Sequence, residues 1–213
     1  MSLLSNCLKK LELCKYVPKN VIDIGAHVGA WSNEFKKYVP SSSIFMIDAV
    51  HYKEIDELSI PYKIALLYSC ETEINWFEIK NSGDSIYKEN TKYYANIQPI
   101  KKKTTTLDIL LKDDPTKYDF IKIDAQGAEI DILKGSIETL KNCNVLLLEL
   151  PFGEYNEGAP SFSDYISFLN NIGFVIFDVL QSFHINQMNV SIDIVFIKKT
   201  SFIYQNMANI IKL

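Results

Sequence analysis

Apolar residues along this chain fall into short blocks, and the blocks recur in two textures. Residues 20–24, 43–50, 120–124 and 145–148 are near-continuous aliphatic or aromatic runs, as in strands buried on both faces. Residues 3–13, 31–38, 107–111, 129–134, 136–140 and 161–172 instead space apolar side chains as one face of a helix would, and Pro40 ends the second of these. Residues 62–68 form a third apolar run, and 72–80 and 98–103 are β-rich pieces flanking a polar insert. Two more strands are predicted at 174–180 and 191–198, the latter alternating as an antiparallel strand does. This order predicts an α/β fold: a Rossmann-like, doubly wound, mostly parallel sheet of about seven strands, the last antiparallel, with helices on both faces. Residues 1–19 read as a helical cover, 20–199 as one domain and 200–213 as a C-terminal tail.

Acids close several of the buried strands. Asp48, Asp124 and Glu149 stand at predicted strand ends, and ligands of such sheets sit outside those carboxyl ends. The three acids should therefore face one crevice, together with the turn from Gly25 to Gly29. That turn follows a strand with Asp23 inside it and precedes a helix. Its spacing is G-x-x-x-G, which lacks the middle glycine of the dinucleotide fingerprint. An acid within the first strand and a looser turn point to S-adenosylmethionine. A nicotinamide-dependent oxidoreductase, and a non-catalytic binding module of a glycan-assembly machine, remain as alternatives.

Within this crevice Asp48 is suited to accept hydrogen bonds from ribose hydroxyls, and Asp23 to hold the amino-acid end of the cofactor. Asp124 leaves its strand beside Gly127, with Glu129 at the next helix start, where a carboxylate is favoured by the helix dipole. Two converging acids can take a proton from, or orient, an attacking hydroxyl. Of the three histidines, His27 lies in the turn and His184 is a candidate general base in a loop after the sixth strand. The three lack the pairwise spacing of a dedicated zinc site, so no metal is expected. The insert 81–96 is too polar and aromatic for an idle connector of that length. Its Asp84, Ser85, Tyr87, Lys88, Tyr93 and Tyr94 suit a polar ring such as a sugar, with Tyr155 and Asn156 as the opposite wall.

Composition narrows the partners. Net charge is −4 and all 22 cationic Lys and Arg positions are Lys, so bidentate guanidinium recognition of phosphate, carboxylate or guanine is absent. Nucleic acid is disfavoured, and the Lys101-Lys102-Lys103 run reads as a solvated face. The four cysteines have neither disulfide nor zinc spacing, and no apolar run approaches a membrane span or a signal peptide. A soluble, cytoplasmic protein is expected.

Three stretches resemble the FkbM-type methyltransferases of the class I S-adenosylmethionine-dependent fold. They are Asp-Ile-Gly-Ala-His-Val-Gly (23–29), Thr-Thr-Leu-Asp-Ile-Leu (105–110) and the run 120–135 with Asp-Ala-Gln-Gly-Ala-Glu at its centre. Residues 147–152 and 155–160 are similar to a branch of the same family. His27 stands where the family usually has Asn, and Asp48 where it usually has Glu. The resemblance implies methyl transfer to a hydroxyl oxygen, often of a sugar or polyketide-type metabolite. It also implies a cofactor cradle of Asp23, Gly25, Ala26, His27, Gly29, Trp31, Ser32, Asp48, Ala49, Ala65, Asp124 and Gln126. An alcohol is a poor nucleophile at neutral pH, so a base is needed, and the candidates are Asp124 first, then Glu149 or His184.

Overall fold

A computed structural model describes residues 2–212. In chain order the elements are helix α1 (Leu3–Leu13), strand β1 (Asn20–Ile24), α2 (Ala30–Tyr38), β2 (Ser43–Asp48), β3 (Tyr62–Ile64), β4 (Leu66–Leu67), β5 (Glu73–Trp76) and β6 (Ile100–Thr105). They continue with α3 (Leu107–Leu110), β7 (Phe120–Ile123), α4 (Glu129–Lys134), α5 (Ile137–Leu140), β8 (Val145–Pro151), α6 (Phe162–Asn171), β9 (Phe174–Ile185), β10 (Met188–Lys198) and α7 (Phe202–Ile211).

The main sheet has seven strands in the order β3-β2-β1-β7-β8-β10-β9. All neighbours pair in parallel except β10, which is antiparallel to both β8 and β9. Helices cover both faces, as the alternating texture predicts. Strand order reverses between β1 and β7, so the crevice of a doubly wound sheet opens above that junction.

Side-chain parity decides what reaches the crevice. On one face Ile22, Ile121, Ile123, Leu146 and Leu148 pack with α4 and α6 residues such as Ile132, Tyr165 and Leu169. On the other, Val21, Phe120, Val145 and Leu147 pack with Leu8, Leu11 and Phe35 of α1 and α2. Continuing that second row toward the carboxyl ends brings Asp23, Lys122 and Glu149 onto the α2 side. Three apolar strands thus end in charged groups that share a face.

Several boundaries differ from those read in the sequence. The run 62–68 splits, because β3 joins the main sheet while β4 pairs with β6 in a small sheet completed by β5. The two last strands are longer than expected, and β9 reaches Ile185. Exposed residues carry that extension, so hydrophobic patterning could not delimit it. Within 200–213, residues Phe202–Ile211 form a helix whose Ile203 is buried in the second core cluster. Among the described residues no helix is long and apolar enough to cross a membrane.

Candidate active site

The glycine turn is built around close backbone approach. Gly25 has φ +71°, and a Cβ there would lie 1.8 Å from the carbonyl oxygen of Asp124. Gly29, at φ +74°, is the residue before α2 and forms its left-handed cap. The Gly25 and Ala26 amides donate to the Ile47 carbonyl, which ties the turn to β2 and leaves Ala26 buried beneath it. His27 is also left-handed, at φ 51°, and its amide donates to Asp48 Oδ2 over 2.7 Å. Asp48 Oδ1 accepts the Val50 amide at 2.8 Å. Burial pushes the Asp48 carboxyl up, and those two backbone bonds oppose the rise.

Asp23 is fully buried, and its Oδ2 accepts the Ser32 hydroxyl at 2.7 Å. Across the register pair from Asp23 stands Lys122, which the sequence reading did not single out. Its Nζ lies 3.1 Å from Asp23 Oδ1 and 3.5 Å from Asp124 Oδ2, and donates to the Gly25 carbonyl at 3.1 Å. The Trp31 ring lies 6.0 Å from the same ammonium. Asp23 Oδ1 nevertheless receives no well-directed hydrogen bond among the described residues. Burial alone would lower the Lys122 ammonium, but the charges of Asp23 and Asp124 hold it well above its ordinary value. The sequence did carry a signal: a lysine between two isoleucines, at the same parity as the acid of the neighbouring strand.

Two cavities meet here. The first, of about 90 Å³, lies between the glycine turn and the insert. Its apolar lining includes Ile47, Val50, Leu66, Trp76 and Ile132, and its polar lining Asp48, Tyr52, Asn81, Ser82, Asp84 and Gln126. Gly25, His27, Ala49, Ala65 and Asp124 also border it. The second, of about 440 Å³, runs under the β9–β10 hairpin and is bordered by Trp31, Lys122, Asp124, Glu149, Tyr155, Gln181, Phe183, His184, Ser191 and Asp193. Ser82, Asp124 and Gln126 belong to both, so they mark the junction.

At this junction Asp124 and Glu149 share one donor. Gln126 Nε2 donates to Asp124 Oδ1 and to Glu149 Oε2, each at 2.9 Å. Ser191 donates its hydroxyl to Glu149 Oε1 at 2.5 Å. Burial would raise the Asp124 carboxyl, but the Lys122 charge and the bonds from Glu149 and Gln126 hold it below its ordinary value. Glu149 moves the other way. Burial first, and the Asp124 charge second, push it up to about 8.

Other candidates have different places. Glu129 is 1% exposed and clasps the 124–128 turn: its Oε1 accepts the Ala125 and Gly127 amides at 2.8 and 3.3 Å, and its Oε2 accepts the Tyr165 hydroxyl. The catalytic expectation for Glu129 is corrected accordingly, because its oxygens are committed beneath the crevice. His184 sits within β9, opposite Asn189 of β10, instead of in a loop after the strand. It is exposed at the outer edge of the second cavity.

The insert is organised mainly around its own polar groups. Tyr94 is fully buried and donates to Asn81 Oδ1 and Asp84 Oδ1, both at 2.7 Å. Asp84 also accepts the Ile79 and Lys80 amides at 2.8 and 2.9 Å. Tyr87 donates to Asp131 Oδ2 at 3.1 Å, Lys88 to the Ala95 carbonyl at 3.2 Å, and Ser85 to the Gln126 carbonyl at 2.8 Å. Tyr93 is 66% exposed, beside Lys92. Asn156 bridges to Glu89 and donates to the Tyr87 carbonyl. Of the predicted substrate group, Tyr155 borders the second cavity and Asp84 the first.

The family model of the methyltransferase FkbM domain matches residues 23–176. A methyltransferase FkbM from Methylobacillus flagellatus aligns in structure with TM-score 0.50 and 11% identity, over 83% of this chain but 43% of that one. The chain thus spans less than half the length of that neighbour. The 1,6-didemethyltoxoflavin-N1-methyltransferase of Burkholderia thailandensis, solved with S-adenosylhomocysteine, aligns with TM-score 0.50 and 11% identity over 92% of this chain and 78% of that one. These likenesses establish the shared fold. No curated protein matches the sequence significantly.

Proposed function

Because the chain belongs to the FkbM methyltransferase family, we propose that it transfers a methyl group from S-adenosylmethionine to a hydroxyl oxygen of an uncharged polar metabolite, such as a sugar or glycan. The single observation that carries this reading is the carboxyl pair Asp124–Glu149 at the junction of the two cavities.

The lining of the first cavity suits the nucleoside. Asp48, already turned inward by two backbone amides, keeps oxygen lone pairs for ribose hydroxyls. The apolar surfaces of Val50, Leu66 and Trp76, with Asn81 and Ser82 beside them, suit an adenine ring. Asp23, fully buried and paired with Lys122, braces the glycine turn from beneath the cofactor cavity. When bound, S-adenosylmethionine supplies a methyl group already activated on a cationic sulfur. The chain's own task is then alignment, exclusion of water and removal of the hydroxyl proton.

The second cavity suits the acceptor better than the insert does. Trp31 and Phe183 offer flat apolar faces, and Ser82, Tyr155, Gln181 and Ser191 offer hydrogen-bonding groups. Lys122 is committed to two carboxylates, and there is no arginine, so an anionic handle would find little to grip. The four cysteines are free thiols, in keeping with a reducing cytoplasm.

The test is a methyl-transfer screen over monosaccharides, nucleotide sugars, catechols, peptides and nucleic acids, with product mass and position read out. Transfer to a neutral sugar, weakened at least tenfold by Phe183→Ala or Gln181→Ala, supports the reading. Transfer to a peptide or nucleic acid, or to a sugar without dependence on those residues, overturns the acceptor assignment.

A further inference from the structure

Two carboxyl groups at the junction satisfy the simplest geometric demand on a proton acceptor, and they are not equivalent. Asp124 is braced by Lys122, 3.5 Å from its Oδ2, and that fixed positive charge makes its carboxylate a weak base. Among the described residues Glu149 forms no ion pair, whereas Lys122 pairs with Asp23 and Asp124. It is held by Gln126 on one oxygen and Ser191 on the other, between β7 and β10. The titratable groups around it include the Asp124 carboxyl that shares Gln126, Asp193 opposite it in the β8–β10 ladder, and Tyr155 and Glu129, which line a cavity with it. Gln181 in turn donates to Asp193 Oδ2 at 2.9 Å, turning that carboxylate toward the hairpin. We propose that Glu149 accepts the acceptor's hydroxyl proton, and that Gln126 and Ser191 act through it as positioning residues.

This inference rests on the methyl-transfer reading and names the base within it. As the acceptor oxygen gains a carbon–oxygen bond, its O–H bond breaks and the proton moves to the Glu149 carboxylate. The electron pair of the breaking carbon–sulfur bond stays on sulfur. One positive and one negative charge disappear together, leaving an ether, a neutral thioether and a neutral carboxylic acid. Gln126 donates to both carboxyl groups at 2.9 Å, so its amide fixes Glu149 beside the junction. Ser191 holds Oε1 and Gln126 holds Oε2, so each carboxyl oxygen of Glu149 has one fixed donor at the junction. A positive charge entering the first cavity should favour the ionised form of Glu149, since opposite charges stabilise each other at short range in a poorly solvated site. The base would then be armed by the methyl donor and disarmed by the neutral product.

Two measurements on the wild-type protein test this without an identified acceptor. Carbon-13 NMR of glutamate-labelled protein, with Glu149→Gln to assign the resonance, should find a carboxyl that titrates near 8. Asp124→Asn should move it down, and Ser191→Ala should move it up. Calorimetry near pH 7.5, repeated in buffers of different ionisation enthalpy, should show S-adenosylmethionine releasing roughly half a proton more than S-adenosylhomocysteine. Glu149→Gln should abolish that difference while both ligands still bind. A Glu149 resonance titrating between about 4 and 5, or a proton release unchanged in Glu149→Gln, overturns the assignment of Glu149 alone. Failure of both ligands to bind overturns the methyl-transfer reading, and the base with it.

Discussion

On the β1–β2 flank of the crevice, each carboxylate is fixed by partners that do not titrate near neutrality. Asp23 is held by the Ser32 hydroxyl and the Lys122 ammonium, and Asp48 by the amides of His27 and Val50. On the β7–β8–β10 flank, Asp124 and Glu149 share a single amide, and Asp193 stands opposite Glu149. One flank therefore presents acceptors held by fixed donors, suited to hold a ligand. The other brings two carboxyl groups onto one donor, where burial and the Asp124 charge push Glu149 up. The same residue types do both jobs, and what separates them is the donors each strand end supplies.

The contrast can be broken most severely at Lys122, which serves both flanks. Lys122→Met leaves the buried Asp23 and the part-exposed Asp124 without a cation, and should destabilise the fold by about 3–5 kcal/mol near neutral pH, chiefly through Asp23. Part of that loss should return as the pH falls and the carboxylates take up protons, which chemical denaturation at pH 5 and pH 8 would resolve. Next comes Gly25→Ala, where the new Cβ meets the Asp124 carbonyl at a left-handed backbone. Backbone strain alone contributes about 1–3 kcal/mol there, and a thermal melt should register it together with weakened S-adenosylhomocysteine binding.

Tyr94→Phe sharpens the distinction between insert and crevice. Removing a buried hydroxyl that donates to Asn81 and Asp84 should lower stability by about 1–3 kcal/mol. Tyr93→Ala, at an exposed ring, should stay within about 0.5 kcal/mol. Equal effects at the two tyrosines would mean that the insert is not held as described. The pH dependence probes the opposite flank. Glu149 has its pKa raised in the folded state, so its favourable contribution is complete at low pH. It is lost as the pH climbs through about 8. Unfolding curves of the wild type should therefore show stability falling across that range, and Glu149→Gln should flatten the slope.

Much of the binding flank was legible in the residues themselves. The apolar run 21–24 with one acid, the glycine turn and the acid closing 43–48 are local features, so short-range patterning exposes them. Asp48, His27, Ala49 and Ala65 border the first cavity. The reacting flank depends on register between distant strands. Lys122 matters because it lies opposite Asp23, and Ser191 because β10 inserts between β8 and β9. Neither pairing can be read from spacing along the chain. The tyrosine-rich insert misled for a related reason. Its aromatic and acidic residues look like a ligand wall, yet Tyr94 and Asp84 satisfy each other and the loop backbone. Glu129 was visible as a helix-start acid, but Tyr165, which completes its clasp, comes from α6.

The central claim is that the glycine turn and Asp48 hold S-adenosylmethionine at a junction whose opposite side removes a proton. Isothermal titration of the wild-type protein with S-adenosylmethionine, S-adenosylhomocysteine and NAD tests it most directly. The account predicts saturable binding of the first two and none of NAD. Asp48→Asn should weaken the two adenosyl ligands roughly 10–100-fold, the range of one or two hydrogen bonds to a charged acceptor. Binding of NAD without either adenosyl ligand, or affinity indifferent to Asp48, would contradict it.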